Sequence, residues 1–430
     1  MLASLLGSGS GADMYALVEE LYPICRSITG EGVRKTLNRI AAELPIDITE
    51  VPTGTPVFDW TVPKEWNIRE AWIKGPDGSK VVDFAAHNLH IVNYSVPVHE
   101  HLTLEALKPR LHSLPDRPDW IPYRTSYYDE TWGFCLPHRQ LEALTDGSYE
   151  VYIDADLEDG SLTYAEAVIP GQTDSEVLLS AHTCHPSLAN DNLSGIALLV
   201  RLGRALAGAD TRYTYRLIFA PGTIGSITWL ARNAGKAANI RHGLVLSCVG
   251  DAGGPTYKRS RDGDAAIDRA VARVFAETAP EGRILDFSPY GYDERQYGSP
   301  GFNLPVGLFE RSKYGEFPEY HTSADNLDFV SAAELDRSYA LVARVIDILE
   351  TDWYPVNAAP HCEPQLGRRG LYKAMGGDNE RVERQMAMLW VLNLADGEHS
   401  LADIATKSGI GPARIEEVAE LLLEHELITR

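Results

Sequence analysis

The sequence contains no Cys-x-x-Cys pair, and its five cysteines (Cys25, Cys135, Cys184, Cys248 and Cys362) are far apart and odd in number. That excludes a thiolate zinc knuckle and a disulfide framework, so any metal must rely on imidazole and carboxylate ligands. No stretch approaches the ~20 apolar residues that cross a bilayer. The opening Met1-Leu-Ala-Ser-Leu-Leu lacks the basic start and apolar length of a signal peptide, so cytoplasmic residence is the expectation. Cation excess is missing too: 39 Lys and Arg face 61 Asp and Glu, a formal net charge of −22. Such a surface repels phosphate backbones and anionic membranes, which argues against nucleic-acid and membrane partners. Repeats and low-complexity tracts are also absent, and the Gly/Ser-rich start, Gly7 to Gly11, reads as a frayed tail.

With 430 residues the chain has room for two or three domains at about 100–200 residues each. Hydrophobic residues at 44% and charged residues at 23% are the balance of a globular protein. The spacing of Leu17, Leu21, Leu37 and Ile40 predicts helix over 13–44, broken near Arg26-Ser-Ile-Thr-Gly30, with a strand over 46–51. From about 55 to 165 the texture changes. Trp60, Trp66, Trp72, Trp120, Tyr123, Tyr127, Tyr128 and Trp132 crowd this stretch among prolines and short alternating runs, which predicts a small β-rich module with those aromatics as its core. From Glu176 onward, apolar strands (177–181, 215–220, 243–248, 284–287, 306–309) alternate with helical patterns (192–207, 226–235, 264–278, 332–352). Apolar strands without alternation, interleaved with amphipathic helices, predict an α/β domain whose mostly parallel sheet is sandwiched by helices. After a loop-like 355–364, three short helices (381–394, 400–407, 412–425) with a turn at Ser408-Gly-Ile-Gly411 outline a helix-turn-helix or winged-helix module. The expected division is 1–54 with 166–358 as the α/β domain, 55–165 as the inserted β-rich domain, and 365–430 as the helical module.

The densest group of potential ligands lies in Ser180-Ala-His-Thr-Cys-His-Pro-Ser-Leu-Ala-Asn-Asp-Asn-Leu-Ser-Gly195, between the end of an apolar strand and the start of a helix. Carboxyl ends of strands are where open α/β sheets bind ligands. His182 and His185 offer imidazole nitrogens and Asp191 a hard oxygen, a set suited to a zinc-like ion. Downstream, Glu319-Tyr-His-Thr-Ser-Ala-Asp325 supplies His321 before the last long helix, with Asp325 either orienting His321 or capping a turn.

Ala189-Asn-Asp-Asn-Leu-Ser-Gly195 after a strand ending in His, and Tyr320-His-Thr-Ser-Ala-Asp325 before a final helix, resemble the di-zinc aminopeptidase family, which also includes glutamate-carboxypeptidase-like enzymes and glutaminyl cyclases. The resemblance covers roughly 15–50 and 166–355. The whole arrangement is similar to a bacterial group of aminopeptidase-like proteins often described as associated with polysaccharide biosynthesis. The resemblance implies a metallopeptidase-type hydrolase, with Asp191 as the central metal-bridging carboxylate and His321 as the last His ligand.

Three departures follow. The family's strand-end motif is His-x-Asp, whereas His182-Thr-Cys184 puts Cys at the Asp position, so the ligand is His182, His185 or both. The family's Glu-Glu pair, one a general base and one a ligand, is replaced by Pro221-Gly-Thr-Ile224. Ser247 stands where another Asp ligand is expected, with Asp251 four residues on. With two carboxylates gone, one zinc per chain is the expectation. A substitute base is sought in Tyr290-Gly-Tyr-Asp-Glu-Arg-Gln-Tyr297, which resembles a family segment near the active site. Glu294, with Asp293 beside it, is the candidate catalytic base, and Arg295 and Tyr292 the candidate substrate-binding residues. Glu310 and Arg311 rival them, and Tyr290 and Tyr297 are either pocket walls or packing.

The final helical pattern carries Arg414 against Glu416, Glu417, Glu420, Glu424 and Glu426, the opposite of a recognition helix, so a structural or protein-docking role, homo-oligomer contacts included, is favoured. Together these features predict a zinc-dependent hydrolase that cleaves an amide bond in a small-molecule or short peptide-like substrate of aminoacyl, peptidyl or N-acyl type. The alternative is a non-catalytic or repurposed metal-binding scaffold on the same fold.

Overall fold

The structure is a computed structural model that describes residues 11–371 and 379–430, so all of the Gly/Ser-rich start but Gly11 lies outside the described residues. The chain forms two compact units, the first running to Val345 and the second spanning Ile346–Arg430.

In the first unit, helices α1 (Gly11–Leu21) and α2 (Glu31–Ala41) lead into strand β1 (Asp47–Pro52). The expected break between the helices is real: Gly30 takes φ 95°, a value that favours glycine, and α2 starts directly after it. An antiparallel sheet follows, built from β2 (Glu65–Lys74), β3 (Lys80–Asp83), β4 (Val98–Thr103) and β5 (Ser148–Glu158) in the order β3-β2-β5-β4. Strands β6 (Ser161–Ile169), β7 (Glu176–His182), β8 (Thr214–Ala220), β9 (Ile240–Leu246), β10 (Thr256–Lys258), β11 (Arg283–Leu285) and β12 (Val306–Glu310) join β1 in an eight-stranded sheet of order β1-β6-β8-β7-β9-β12-β10-β11.

The four central strands β8, β7, β9 and β12 are parallel, which is the mostly parallel sheet that their apolar runs predict. The flanks are antiparallel at β1–β6, β6–β8 and β10–β12. Every residue of β7 is buried, as it must be when both faces of a parallel sheet are covered. The covering helices are α3 (Gly195–Ala207), α4 (Ile224–Ala237), α5 (Ala266–Thr278) and α6 (Ala332–Thr351). One hydrophobic core joins Leu178, Ile218, Val245 and Val306 of the large sheet to Trp66, Ile73 and Val151 of the smaller one, so the inserted sheet is fused to the α/β scaffold. Burial of each such side chain contributes roughly 1.5–3 kcal/mol. The central strands end at His182, Leu246 and Glu310, and the loops that follow them carry the site.

The second unit holds a two-residue strand β13 (Val356–Asn357), helices α7 (Asn379–Leu394), α8 (Leu401–Ser408) and α9 (Pro412–Glu424), and β14 (Ile428–Thr429) paired antiparallel with β13. Ser400 caps α8 by accepting from the Asp403 amide, and Gly409 ends it in the left-handed conformation, the stop that the Ser-Gly turn predicts. Val391, Ile404, Ile415, Val418 and Leu422 fill its core, while α9 turns Glu416, Glu417 and Glu420 to solvent. Among the described residues, no helix is long and apolar enough to cross a membrane.

Candidate metal centre

β7 delivers His182 at its last position, and the chain then makes a tight irregular passage through Ala189–Ser194 before α3. Asp191 and Asn192 leave helical geometry there, Asn192 with φ 145°. This costly backbone is held from several sides. Both oxygens of Asp325 accept backbone N–H groups, from Asn190 at 2.6 Å and Asp191 at 2.9 Å. Asn192 Oδ1 accepts from the His185 amide at 3.2 Å, and the Arg26 guanidinium, fully buried, donates to the His185 carbonyl at 2.9 Å. At Gly195 any Cβ would be driven into the Leu246 carbonyl, so the start of α3 approaches β9 as closely as only glycine allows.

The result gathers the three expected imidazoles around the expected carboxylate, Asp191. Asp191 Oδ1 lies 3.2 Å from His182 Nε2 and 3.8 Å from His185 Nδ1, and these two nitrogens are 2.9 Å apart. His321 Nε2 meets the other oxygen, Asp191 Oδ2, at 2.9 Å. That approach lacks hydrogen-bond geometry, so Oδ2 and His321 Nε2 are both left without a hydrogen-bond partner in a buried place. Tetrahedral zinc with ligands at about 2.0–2.1 Å sets ligand atoms about 3.3 Å apart. The three edges among His182, His185 and Asp191 straddle that length, and the buried, unsatisfied donor set fits zinc. His182 and His185 are therefore both at the cluster, and sequence spacing had no means to choose between them.

Electrostatics keep the set in ligand form. Burial drives the His185 imidazole well below its ordinary pKa, outweighing the pull of Asp191. Burial opposes the charge on Asp191, but the imidazoles of His185, His182 and His321 outweigh it and hold the carboxyl well below its usual range. Tyr292 stacks on His182 at 4.9 Å between centroids and donates its hydroxyl to Asp191 Oδ1 at 2.8 Å. Ser247 Oγ stands 3.5 Å from the same oxygen.

Other expected residues go elsewhere. Glu294, read as the catalytic base, is fully buried beneath the cavity and pairs with Lys258 Nζ at 2.5 Å, because its helical turn points the side chain inward while Asp293 and Arg295 face the opening. Asp325 holds the Asp191 loop and does not orient His321; burial raises its pKa to about 8. Asp251 is taken up by Asn190, Gly253 and Ser312. Glu310 accepts from the Tyr314 amide, and burial keeps its pKa well above the ordinary carboxyl value; Arg311 pairs with Glu334 at 2.6 Å. Tyr297 packs in the core, whereas Tyr290 lines the opening.

A cavity of about 390 Å³ opens over the cluster. Beside His182, His185 and His321 it is walled by Asp293, Arg295, Tyr292 and Tyr320. The inserted module adds Trp60, Tyr123, Tyr127 and Tyr128; of these the exposed Trp60 and Tyr128 depart from their reading as core, whereas Trp66, Trp72 and Tyr123 are buried as expected and Tyr127 and Trp132 pack against the core. Their density in the sequence was the available signal. Asp293 Oδ1 accepts from the Thr223 amide at 2.7 Å and Ser226 Oγ at 2.9 Å, and burial raises its pKa. Cys184, at the position of the missing Asp, accepts from the Gly222 amide at 3.2 Å, and burial pushes its thiol to about 12.

Known proteins share this architecture. A family model described as a domain of unknown function (DUF4910) matches residues 15–352, and one described as a winged helix-turn-helix matches 353–430. A Clostridium acetobutylicum protein, provisionally named a polysaccharide biosynthesis protein with aminopeptidase-like domain, is 52% identical over 421 residues, spanning 98% of this chain and 97% of the relative. A crystal structure from the same organism, provisionally named a peptidase, is 52% identical with a TM-score of 0.83, covering 97% of this chain and 96% of that one. BSAP, a zinc aminopeptidase from Bacillus subtilis, is 13% identical with a TM-score of 0.57, covering 78% of this chain and 94% of that one, a likeness of fold. With a model matched over most of its length and a relative at 52% identity, the chain belongs to the DUF4910 family, on an aminopeptidase-like fold followed by a winged helix-turn-helix.

Proposed function

We propose that the chain is a metal-dependent hydrolase that cleaves an amide bond in an aminoacyl, peptidyl or N-acyl substrate, with one zinc ion held by His182, His185 and Asp191 and with His321 on the outer oxygen of Asp191. The observation that carries this reading is the trio of buried ligand atoms, all within 4.8 Å of one another, at the floor of an aromatic cavity. Zinc in such a set supplies Lewis-acid polarisation of a carbonyl and acidifies water. The chain's own residues do the rest. Tyr292 orients Asp191, and Arg295 offers a guanidinium to a substrate carboxylate or developing oxyanion. Asp293 replaces Glu294 as the proposed proton carrier: it lines the cavity, its orientation is fixed by Thr223 and Ser226, and its raised pKa suits accepting a proton and passing it to the leaving amine. A positioned base of this kind contributes about 10²–10⁴-fold.

A second reading, a metal-binding scaffold without turnover, is favoured by the turn Pro221-Gly-Thr-Ile224, which offers no carboxylate where the family's pair is expected and whose Gly222 amide is taken by Cys184. Metal analysis of the purified chain, expected to find about one zinc, and a panel of aminoacyl and N-acyl anilides separate the two. Turnover lost in both Asp191→Ala and Asp293→Asn supports the hydrolase. Stoichiometric zinc with no turnover supports the scaffold, and no bound metal together with an unaffected Asp191→Ala variant would overturn both.

A further inference from the structure

Beyond the metal cavity lies a second, larger cavity of about 1100 Å³, and the two share Tyr123, Thr125, Tyr320 and His321 as walls. Its remaining lining comes mainly from 112–125, the long connection between β4 and β5. The charge there runs against the rest of the molecule. Arg117, Arg124 and His112 face the cavity, and Asp116 is the one carboxylate among its described lining residues. Other guanidinium groups of this acidic unit are bound by carboxylates, Arg69 by Asp154 and Asp156 and Arg216 by Glu166 and Glu176, or, like Arg26, are buried on backbone carbonyls. Arg124 and Arg117 are exposed, and no carboxylate pairs with either among the described residues. Arg117 donates to the Asp116 backbone carbonyl and lies over the Trp120 ring at 5.5 Å, which steadies it at the rim. Arg124 and Arg110 stand close enough to His112 to help burial lower its pKa, evidence of a positive local field.

A chain of net charge −22 repels an anion at long range, so an acidic substrate can be captured only where cations are gathered and left unpaired inside a concave wall. We propose that this second cavity is an anion subsite in which Arg124 and Arg117 bind a carboxylate or phosphate group of the same substrate whose amide bond reaches the metal cluster. The substrate class is thereby an acidic aminoacyl or N-acyl conjugate. The inference rests on the hydrolase reading for the word substrate, but the subsite itself is defined by its own residues.

The test uses the full chain and two simple probes, inorganic phosphate and glutarate, titrated calorimetrically at low salt. Saturable binding that weakens as salt rises is expected, falling at least tenfold in Arg124→Glu and measurably in Arg117→Gln. Both positions are exposed, so the variants are expected to fold, with unchanged circular dichroism as the check. Binding must survive in Asp191→Asn, which separates the subsite from the metal cluster. Tighter phosphate supports a phosphorylated conjugate and tighter glutarate a carboxylated one. Absence of binding for both probes, or binding unchanged in Arg124→Glu, or binding lost only in Asp191→Asn, overturns the proposal. Anion binding with this arginine dependence in a chain that hydrolyses no amide would refute the hydrolase reading alone and leave the subsite standing.

Discussion

Replacing Glu294 by leucine separates two roles for that residue, because the buried pair it forms with Lys258 has a calculable consequence. Lys258 is 2% exposed and Glu294 0%, with Nζ and Oε1 at 2.5 Å. At an effective dielectric near 20 the gross attraction at that distance is about 6–7 kcal/mol, most of it cancelled by the desolvation of both charges. What a single substitution exposes is the desolvation term alone: Glu294→Leu strands a buried ammonium and is expected to cost about 3–5 kcal/mol. Lys258→Met strands the carboxylate and also releases the Tyr290 carbonyl, which Lys258 holds at 2.8 Å, so it is expected to cost at least as much. The double variant Lys258→Met/Glu294→Leu removes both charges and is expected to recover more than half of the summed loss. Urea unfolding followed by tryptophan fluorescence reads this out, since Trp60, Trp66, Trp72, Trp120, Trp132 and Trp229 all lie in the first unit. Additive losses in the double variant, or a Glu294→Leu change within about 0.5 kcal/mol, would refute the structural role. A Glu294→Gln variant of full stability and 10²–10⁴-fold lower turnover would instead restore Glu294 as a base, against the present assignment of Asp293.

Removing the Tyr292 hydroxyl with Tyr292→Phe takes away the donor that fixes Asp191, and zinc affinity measured by chelator competition is expected to fall about 10–100-fold. Stripping zinc from the chain is expected to lower its melting temperature, by about 2.7 kcal/mol of lost stability when free zinc had stood at a hundred times its Kd; an unchanged melting curve would count against a bound metal. Gly195→Ala is expected to unsettle the start of α3 and reduce both soluble yield and zinc content, because the methyl meets the Leu246 carbonyl. Burial depresses His242 to about 3, so between pH 6.5 and that value the unfolded chain takes up a proton that the folded chain refuses. Stability from this group is complete above pH 6.5 and falls on acidification by up to about 1.4 kcal/mol per pH unit; His242→Phe is expected to flatten the slope, and parallel curves for the two proteins would show another origin.

The central strands and covering helices, the parallel centre of the sheet and the three terminal helices were legible in local patterns, because an apolar strand buried on both faces and an amphipathic helix write their periods directly into neighbouring residues, whereas the short strand β10 and the antiparallel flanks were not. The candidate ligands were legible too: His182, His185 and Asp191 share one strand-to-helix passage, and His321 stands before a helix of its own. Distance in space decided the rest. Glu294 and Asp293 are adjacent in sequence, yet a single turn of chain sends one to Lys258 and the other to the cavity. Aromatics of the inserted module have one composition and two fates, Trp66 in the core and Tyr123 against His185 and His321, according to which side of the shared core each reaches. The sequence by itself determined which groups can hold a metal and roughly where the elements lie; only the tertiary structure decided which carboxylate meets the cavity, because side-chain direction and burial depend on partners tens of positions away, Lys258 for Glu294 and Thr223 and Ser226 for Asp293.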